Sequence, residues 1–321
     1  MSLALLLAAC GGAAPSAPAR TTTPPAAAPE AAPAQAPKLL SFRDLLARPR
    51  AKADHREAYG PDPLQFGELW LPAGAGPHPV VVLVHGGCWR GDLPGLELMD
   101  QMAEALRRDG VAVWNVEYRR IGQPGGGYPG TFTDVSAAVD HLRRLAPAHR
   151  LDLGRVALSG HSAGGHLALW AAARSRTPAG SPLRAAAPLT TRGVVTLAGI
   201  NDLVAYRKDG PAACGGPDTI DSLVGAKGRA AEAVFADTSP AALLPLGVRQ
   251  VIISGALDPI VPPRFGETYA GAAATRGDPV RGITLPGAGH FELIDPTSAA
   301  WPQVRGALMQ MLDPAATRPQ G

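Results

Sequence analysis

The chain has 321 residues, 46% of them hydrophobic and 18% charged, which is ample material for one large core and excludes a mainly disordered protein. Its net charge of +3 is small, and the basic residues are scattered rather than arrayed with aromatics, so a nucleic-acid-binding surface is not indicated. Three cysteines and eight histidines show no metal-ligand spacing, and neither a glycine-rich phosphate loop nor an internal repeat is present; no cofactor or metal is expected.

At the N-terminus a short apolar run ends in Leu7-Ala8-Ala9-Cys10, which resembles the bacterial lipobox, where the cysteine is lipidated and becomes the mature first residue. Residues 1–10 are therefore expected to be a lipoprotein signal, although the Lys or Arg that normally opens such a signal is absent. Nine residues before Cys10 are too few to span a bilayer as a helix, and no other segment reads as transmembrane. This reading implies an exported protein anchored to the bacterial cell envelope, with membrane contact only through a lipid on Cys10; an ordinary Ala-rich N-terminus would leave it cytoplasmic. Residues 11–37 are dominated by Pro, Ala and Thr and cannot bury enough surface to offset ordering entropy, so they are expected to form a flexible spacer.

From residue 38 to 321 the composition is that of one globular domain. Apolar runs predict strands near 65–71, 80–85, 111–118, 155–159, 193–198, 249–254 and 281–285. Helical patterns fall near 95–109, 132–146, 163–174, 264–276 and 298–312. Such alternation predicts a mostly parallel, doubly wound α/β sheet covered by helices on both faces. Residues 200–245, rich in Gly, Pro, Asp and Ala, break the rhythm and are expected to form a small cap-like insertion.

Gly160-His161-Ser162-Ala163-Gly164 sits between the strand at 155–159 and the helix at 163–174, the setting a nucleophile elbow needs. Ser162 is the candidate nucleophile. A serine hydroxyl needs a histidine to take its proton and a carboxylate to orient that histidine. Downstream of Ser162 only His166 and His290 remain, and His166 lies one turn along the same helix. His290, in a Gly-rich loop after a strand, is thus the candidate base. Asp258 closes the strand at 249–254 and is the candidate acid, with Asp202, Asp278 and Asp295 as competitors. Donors for an oxyanion are expected from the amides of Gly87, Cys88 and Ala163, with Gly86 as a flexible neighbour, because the strand at 80–85 runs directly into a glycine pair.

Several neighbours have blander readings. His85 and His161 are expected to pack and hydrogen-bond locally, and His166 to lie beneath the site. Trp89 could wall a pocket or cover the core equally well, and Glu117 is expected to be a buried partner for Arg119 or Arg120. Cys88 and Cys214 could pair across the oxyanion loop and the insertion, or stay free.

His85-Gly86-Gly87-Cys88-Trp89, Gly-His-Ser-Ala-Gly-Gly from residue 160, the turn around Asp258-Pro259 and the run Gly287-Ala288-Gly289-His290-Phe291 together resemble the α/β-hydrolase superfamily over about residues 60–312. The resemblance is to the esterase branch that includes kynurenine formamidases, hormone-sensitive-lipase-like carboxylesterases and small bacterial feruloyl-type esterases. Cys88-Trp89 stands where the lipase type has a third glycine, which favours the formamidase or feruloyl-type side. The implied activity is serine-dependent cleavage of a small or medium carboxylic ester; arylformamide hydrolysis and a non-catalytic binding role on a hydrolase scaffold are the alternatives.

Overall fold

The computed structural model describes residues 38–317 together with Gly11, Gly12 and Ala14. The expected signal at 1–10 and, those three residues apart, the expected spacer at 11–37 lie outside the described residues. The chain divides into two units, Met1–Pro37 and Lys38–Gly321, and the second contains all the described secondary structure.

Eight strands form one sheet: β1 (His55–Ala58), β2 (Phe66–Trp70), β3 (His78–Val84), β4 (Ala112–Val116), β5 (Leu151–His161), β6 (Gly193–Leu197), β7 (Arg249–Gly255) and β8 (Val280–Leu285). Their spatial order is β1-β2-β4-β3-β5-β6-β7-β8. At one edge β1 pairs with β2 and β2 with β4 antiparallel, and the pairings from β4 on to β8 are parallel. The central strands are β-branched because both faces are covered. Val80, Val81, Val82 and Val84 on β3 have no exposed surface, and β4 is buried along its whole length. This is the α/β-hydrolase fold.

Helices α2 (Asp100–Arg108), α3 (Gly130–His149), α4 (Ala163–Ala173), α8 (Pro263–Thr275) and α9 (Trp301–Leu312) flank the sheet, and the short α1 (Phe42–Leu46) packs against the segment Leu96–Met99. Between β6 and β7 the insertion holds α5 (Leu203–Asp209), α6 (Pro217–Leu223) and α7 (Ala231–Val234). The helix expected over 95–109 is a 3-10 turn, Leu96–Met99, followed by α2. The helix expected from 298 starts only at Trp301, where Pro302 in the first turn suits a start with no N–H to satisfy. Strand β5 begins at Leu151, four residues earlier than expected.

Candidate active site

Because β5 ends at His161 and α4 begins at Ala163, one residue must reverse the chain. Ser162 does so at φ 57° and ψ −123°, a strained conformation for a residue with a side chain. The turn is tight enough that a Cβ on Gly164 would collide with the carbonyls of Val84 and His85, so position 164 accepts only glycine. The Ser162 N–H donates to the Leu197 carbonyl at 2.9 Å, which ties the turn to β6.

Two strands further along the sheet, the loop after β7 carries Asp258 and the loop after β8 carries His290. His290 Nδ1–H donates to Asp258 Oδ2 at 2.6 Å, and both side chains are buried. This leaves His290 Nε2 as the lone-pair nitrogen. The other carboxylate oxygen, Asp258 Oδ1, accepts from the amides of Ile260 and Val261 at 2.8 and 2.9 Å. The three competing carboxylates are all engaged elsewhere: Asp202 caps α5, Asp278 accepts from the amides of Leu246 and Gly247, and Asp295 pairs with Arg48. Ser162 and His290 line one cavity. No hydrogen bond joins them among the described residues.

The loop after β3 closes the third side. Gly86 packs on the serine turn so closely that a Cβ there would lie 3.1 Å from Ser162 Cβ. Gly87, Cys88 and Trp89 all take positive φ, at 103°, 50° and 56°. Among the described residues the amides of Gly87, Cys88 and Ala163 donate to no protein acceptor, while Arg90 N donates back to Gly87 O at 2.9 Å. Free amides beside a nucleophile can hold a developing oxyanion.

What keeps this loop in place is a buried polar cluster. His85 Nε2 meets Glu117 Oε1 at 2.9 Å, the other oxygen, Oε2, accepts from Leu96 N, and Tyr118 OH donates to the His85 carbonyl at 2.9 Å. Arg120 lies 3.5 Å from Glu117 and donates to the carbonyls of Arg90, Leu93 and Pro94. Burial alone would push the Glu117 carboxyl up; His85, Arg120 and the Tyr118 amide more than offset this and hold it at about 2. Arg119 is not its partner and pairs instead with Asp134. The His85–Glu117 contact has no signature in sequence, since 32 positions separate the two.

Cys88 and Cys214 form a disulfide with a Cα–Cα distance of 5.2 Å, joining the loop after β3 to the insertion. Trp89 does not face the cavity. It is fully buried and donates to His166 Nδ1 at 3.2 Å, so His166 Nε2–H donates to the Thr238 carbonyl at 2.8 Å. Burial lowers the His166 pKa to about 4 and keeps the ring neutral. His161 spans the site: its Nε2–H donates to the His290 carbonyl at 3.0 Å and its ring lies 4.4 Å from the His290 ring. Burial, and after it the neighbouring His290, pushes its pKa well below the usual histidine value. No group of three metal-ligating side chains gathers among the described residues, and no helix there is long and apolar enough to cross a membrane.

The cavity at Ser162 has a volume of about 150 Å³ and, besides the polar residues and Gly87, Cys88 and Pro94 of the loop after β3, is walled by Phe42, Leu93, Leu98, Ala213, Ile260 and Phe291. None of these six was singled out from the sequence as a site residue except Phe291, which entered only as the residue after His290.

Comparison with known proteins places the architecture. Carboxylesterase NlhH of Mycobacterium tuberculosis is 36% identical over 115 residues, which are 36% of this chain and 35% of that protein. The chain therefore matches only about a third of the length of its curated relatives. Among solved structures, Esterase B from Lactobacillus rhamnosis superposes with a TM-score of 0.71 at 19% identity, covering 86% of this chain and 90% of that one. The propionate-bound Est2 esterase of Thermogutta terrifontis gives 0.63 at 19% identity, covering 83% and 96%. The family model described as BD-FAE matches residues 68–270, a span from β2 through most of α8 that includes the serine turn, the loop after β3 and Asp258. The chain belongs to the BD-FAE family, within the esterase branch of the α/β-hydrolase superfamily.

Proposed function

We propose that the protein is a serine carboxylesterase acting on a small ester. The observation that carries this reading is the Asp258–His290 pair, whose free nitrogen belongs to the same cavity as a serine held on a strained turn. In this reading Ser162 Oγ attacks the ester carbonyl carbon while its proton passes to His290 Nε2. The amides of Gly87, Cys88 and Ala163 hold the oxyanion. His290 then returns the proton to the departing alkoxide, leaving the acyl group on Ser162. Water, deprotonated by His290, attacks that acyl carbon; the bond to Ser162 Oγ breaks, His290 returns the proton to Oγ, and the acid is released. Asp258 keeps His290 in the tautomer that can accept a proton and stabilises the imidazolium that forms. The chain's similarity to a carboxylesterase and to esterases supports the same chemistry.

Hydrolysis of p-nitrophenyl acetate by the full chain tests this. Ser162→Ala and His290→Ala are each expected to lower kcat by about 10⁵ or more while the proteins stay folded. Wild-type protein as inert as Ser162→Ala would overturn the reading.

Export and a lipid on Cys10 belong to the same proposal. The Leu7-Ala8-Ala9-Cys10 run supports it, and a disulfide suits an oxidising compartment. Mass spectrometry of the N-terminal peptide from the envelope fraction would reveal a diacylglyceryl adduct on Cys10; an unmodified peptide beginning upstream of Cys10 would refute it.

A further inference from the structure

We infer that the segment 38–48, which lies outside the span matched by the family model, is a wall of the substrate cavity, and that Phe42 sets the longest acyl chain the enzyme accepts. The inference rests on the esterase reading above.

Phe42 opens α1, a helix of only five residues that could not hold itself together in water. It is held from both ends. At its start Ser41 and Asp44 form a reciprocal capping box, with Asp44 N donating to Ser41 Oγ and Ser41 N donating to Asp44 Oδ2 at 2.8 Å. Beyond its end Arg48 reaches Asp295 at 2.6 Å.

A third tether leads to the catalytic loop itself. Glu292 Oε1 accepts from Leu40 N at 2.5 Å, and Glu292 Oε2 accepts from Gly289 N at 3.0 Å, so one carboxylate joins this segment to the residue before His290. Phe42 packs edge-on against Phe291 with ring centroids 6.2 Å apart, and Phe291 in turn packs against His290 at 5.0 Å. The phenyl ring is thus fixed by its backbone anchors and by an aromatic neighbour. Swinging the ring aside would cost its edge-on contact with Phe291, while the backbone that carries it stays anchored.

The space beside Ser162, about 150 Å³ and opening to solvent on one side, gives room within its apolar walls for a guest on the order of six carbons. Ser162 lies in it, and the acyl chain stays bonded to Ser162 through the whole second half of the reaction. An acyl group that fills the cavity runs against its apolar walls, Phe42 among them. The substrate class is therefore an ester of a short apolar acid.

The test is kcat/KM for p-nitrophenyl esters with acyl chains of two to twelve carbons, measured on the full chain as wild type, Phe42→Ala and Phe42→Trp. Wild type is expected to fall off steeply beyond about six carbons. Phe42→Ala is expected to raise the ratio of ten-carbon to four-carbon activity at least ten-fold, and Phe42→Trp to lower it. Opposite movement in the two variants cannot come from general loss of folding, because the ratio is internal to each protein. An unchanged ratio in both, with ester hydrolysis intact, would overturn the role of Phe42 and leave the esterase reading standing. No turnover of any ester by wild type, matched by Ser162→Ala, would overturn both.

Discussion

At the scale of single residues, the arrangement turns on which nitrogen of His290 is free. Its Nδ1–H is fully engaged by Asp258, and the remaining Asp258 oxygen is saturated by two backbone amides, so the carboxylate has no freedom to turn away. Replacing it with Asn keeps the shape but lets an amide NH₂ face Nδ1, which favours the tautomer with the proton on Nε2. That nitrogen could then no longer accept from Ser162. Asp258→Asn is therefore expected to lower kcat by roughly 10⁴ with KM little changed. Steady-state kinetics on p-nitrophenyl acetate would show it, and a loss smaller than ten-fold would mean that another group orients His290.

At the scale of elements, the loop after β3 is stapled from two sides. The Glu117 and Arg120 cluster fixes its base and the Cys88–Cys214 disulfide fixes its tip. The disulfide closes a long loop, with 126 positions between its ends, and cross-links of that reach stabilise by about 3–5 kcal/mol. The double variant Cys88→Ser/Cys214→Ser is expected to melt roughly 10 °C lower than wild type. It should also lose esterase activity, because an untethered Cys88 at positive φ relaxes and displaces its amide. Wild type treated with reductant should match the double variant in both respects. A melting shift below about 2 °C in either experiment would show that the cross-link does not constrain the fold.

The same elements explain what sequence alone could reveal. Strands β3 and β7 are continuous β-branched runs because they are buried on both faces, and a residue placed after such a strand is legible from its neighbours alone. Asp258 sits in such a position, whereas Ser162 was legible from the Gly-x-Ser-x-Gly spacing after β5 and His290 from its Gly-rich loop after the edge strand β8. Strand β1, His55–Ala58, left no mark: it is an exposed edge of polar residues whose only reason to be extended is its pairing with β2. Helix α1 is too short to show a period, although Ser41 and Asp44 carry a capping-box spacing. Phe42 could not be linked to Ser162 from sequence, because their meeting depends on three tethers from residues some 250 positions away. Glu117 was legible as a buried carboxylate but not as the partner of His85, for the same reason.

At the scale of the whole molecule, the fold tolerates one buried acid that its surroundings disfavour. Asp100 opens α2 with only 7% of its surface exposed, and Arg50, its cationic neighbour, lies 3.3 Å away and is itself partly in solvent. Burial, with Glu68 and Glu97 nearby, raises its pKa to about 7 against the pull of Arg50. The unfolded chain releases this proton near the ordinary carboxylate value of 3.8, whereas the folded protein keeps it until about 7. Folding therefore favours the protonated form. The contribution from this site is fully present below about pH 4 and is lost progressively as pH rises towards 7. Asp100→Asn cannot ionise and keeps a donor and an acceptor in the same place, next to Asn115 Nδ2. The variant is expected to unfold at nearly the same denaturant midpoint as wild type at pH 4, and at a higher midpoint from pH 7 to 8. Urea titrations at pH 4, 5.5 and 8 measure this directly. Equal midpoints at pH 8 would mean that the Asp100 charge is compensated in the folded protein, by Arg50 above all.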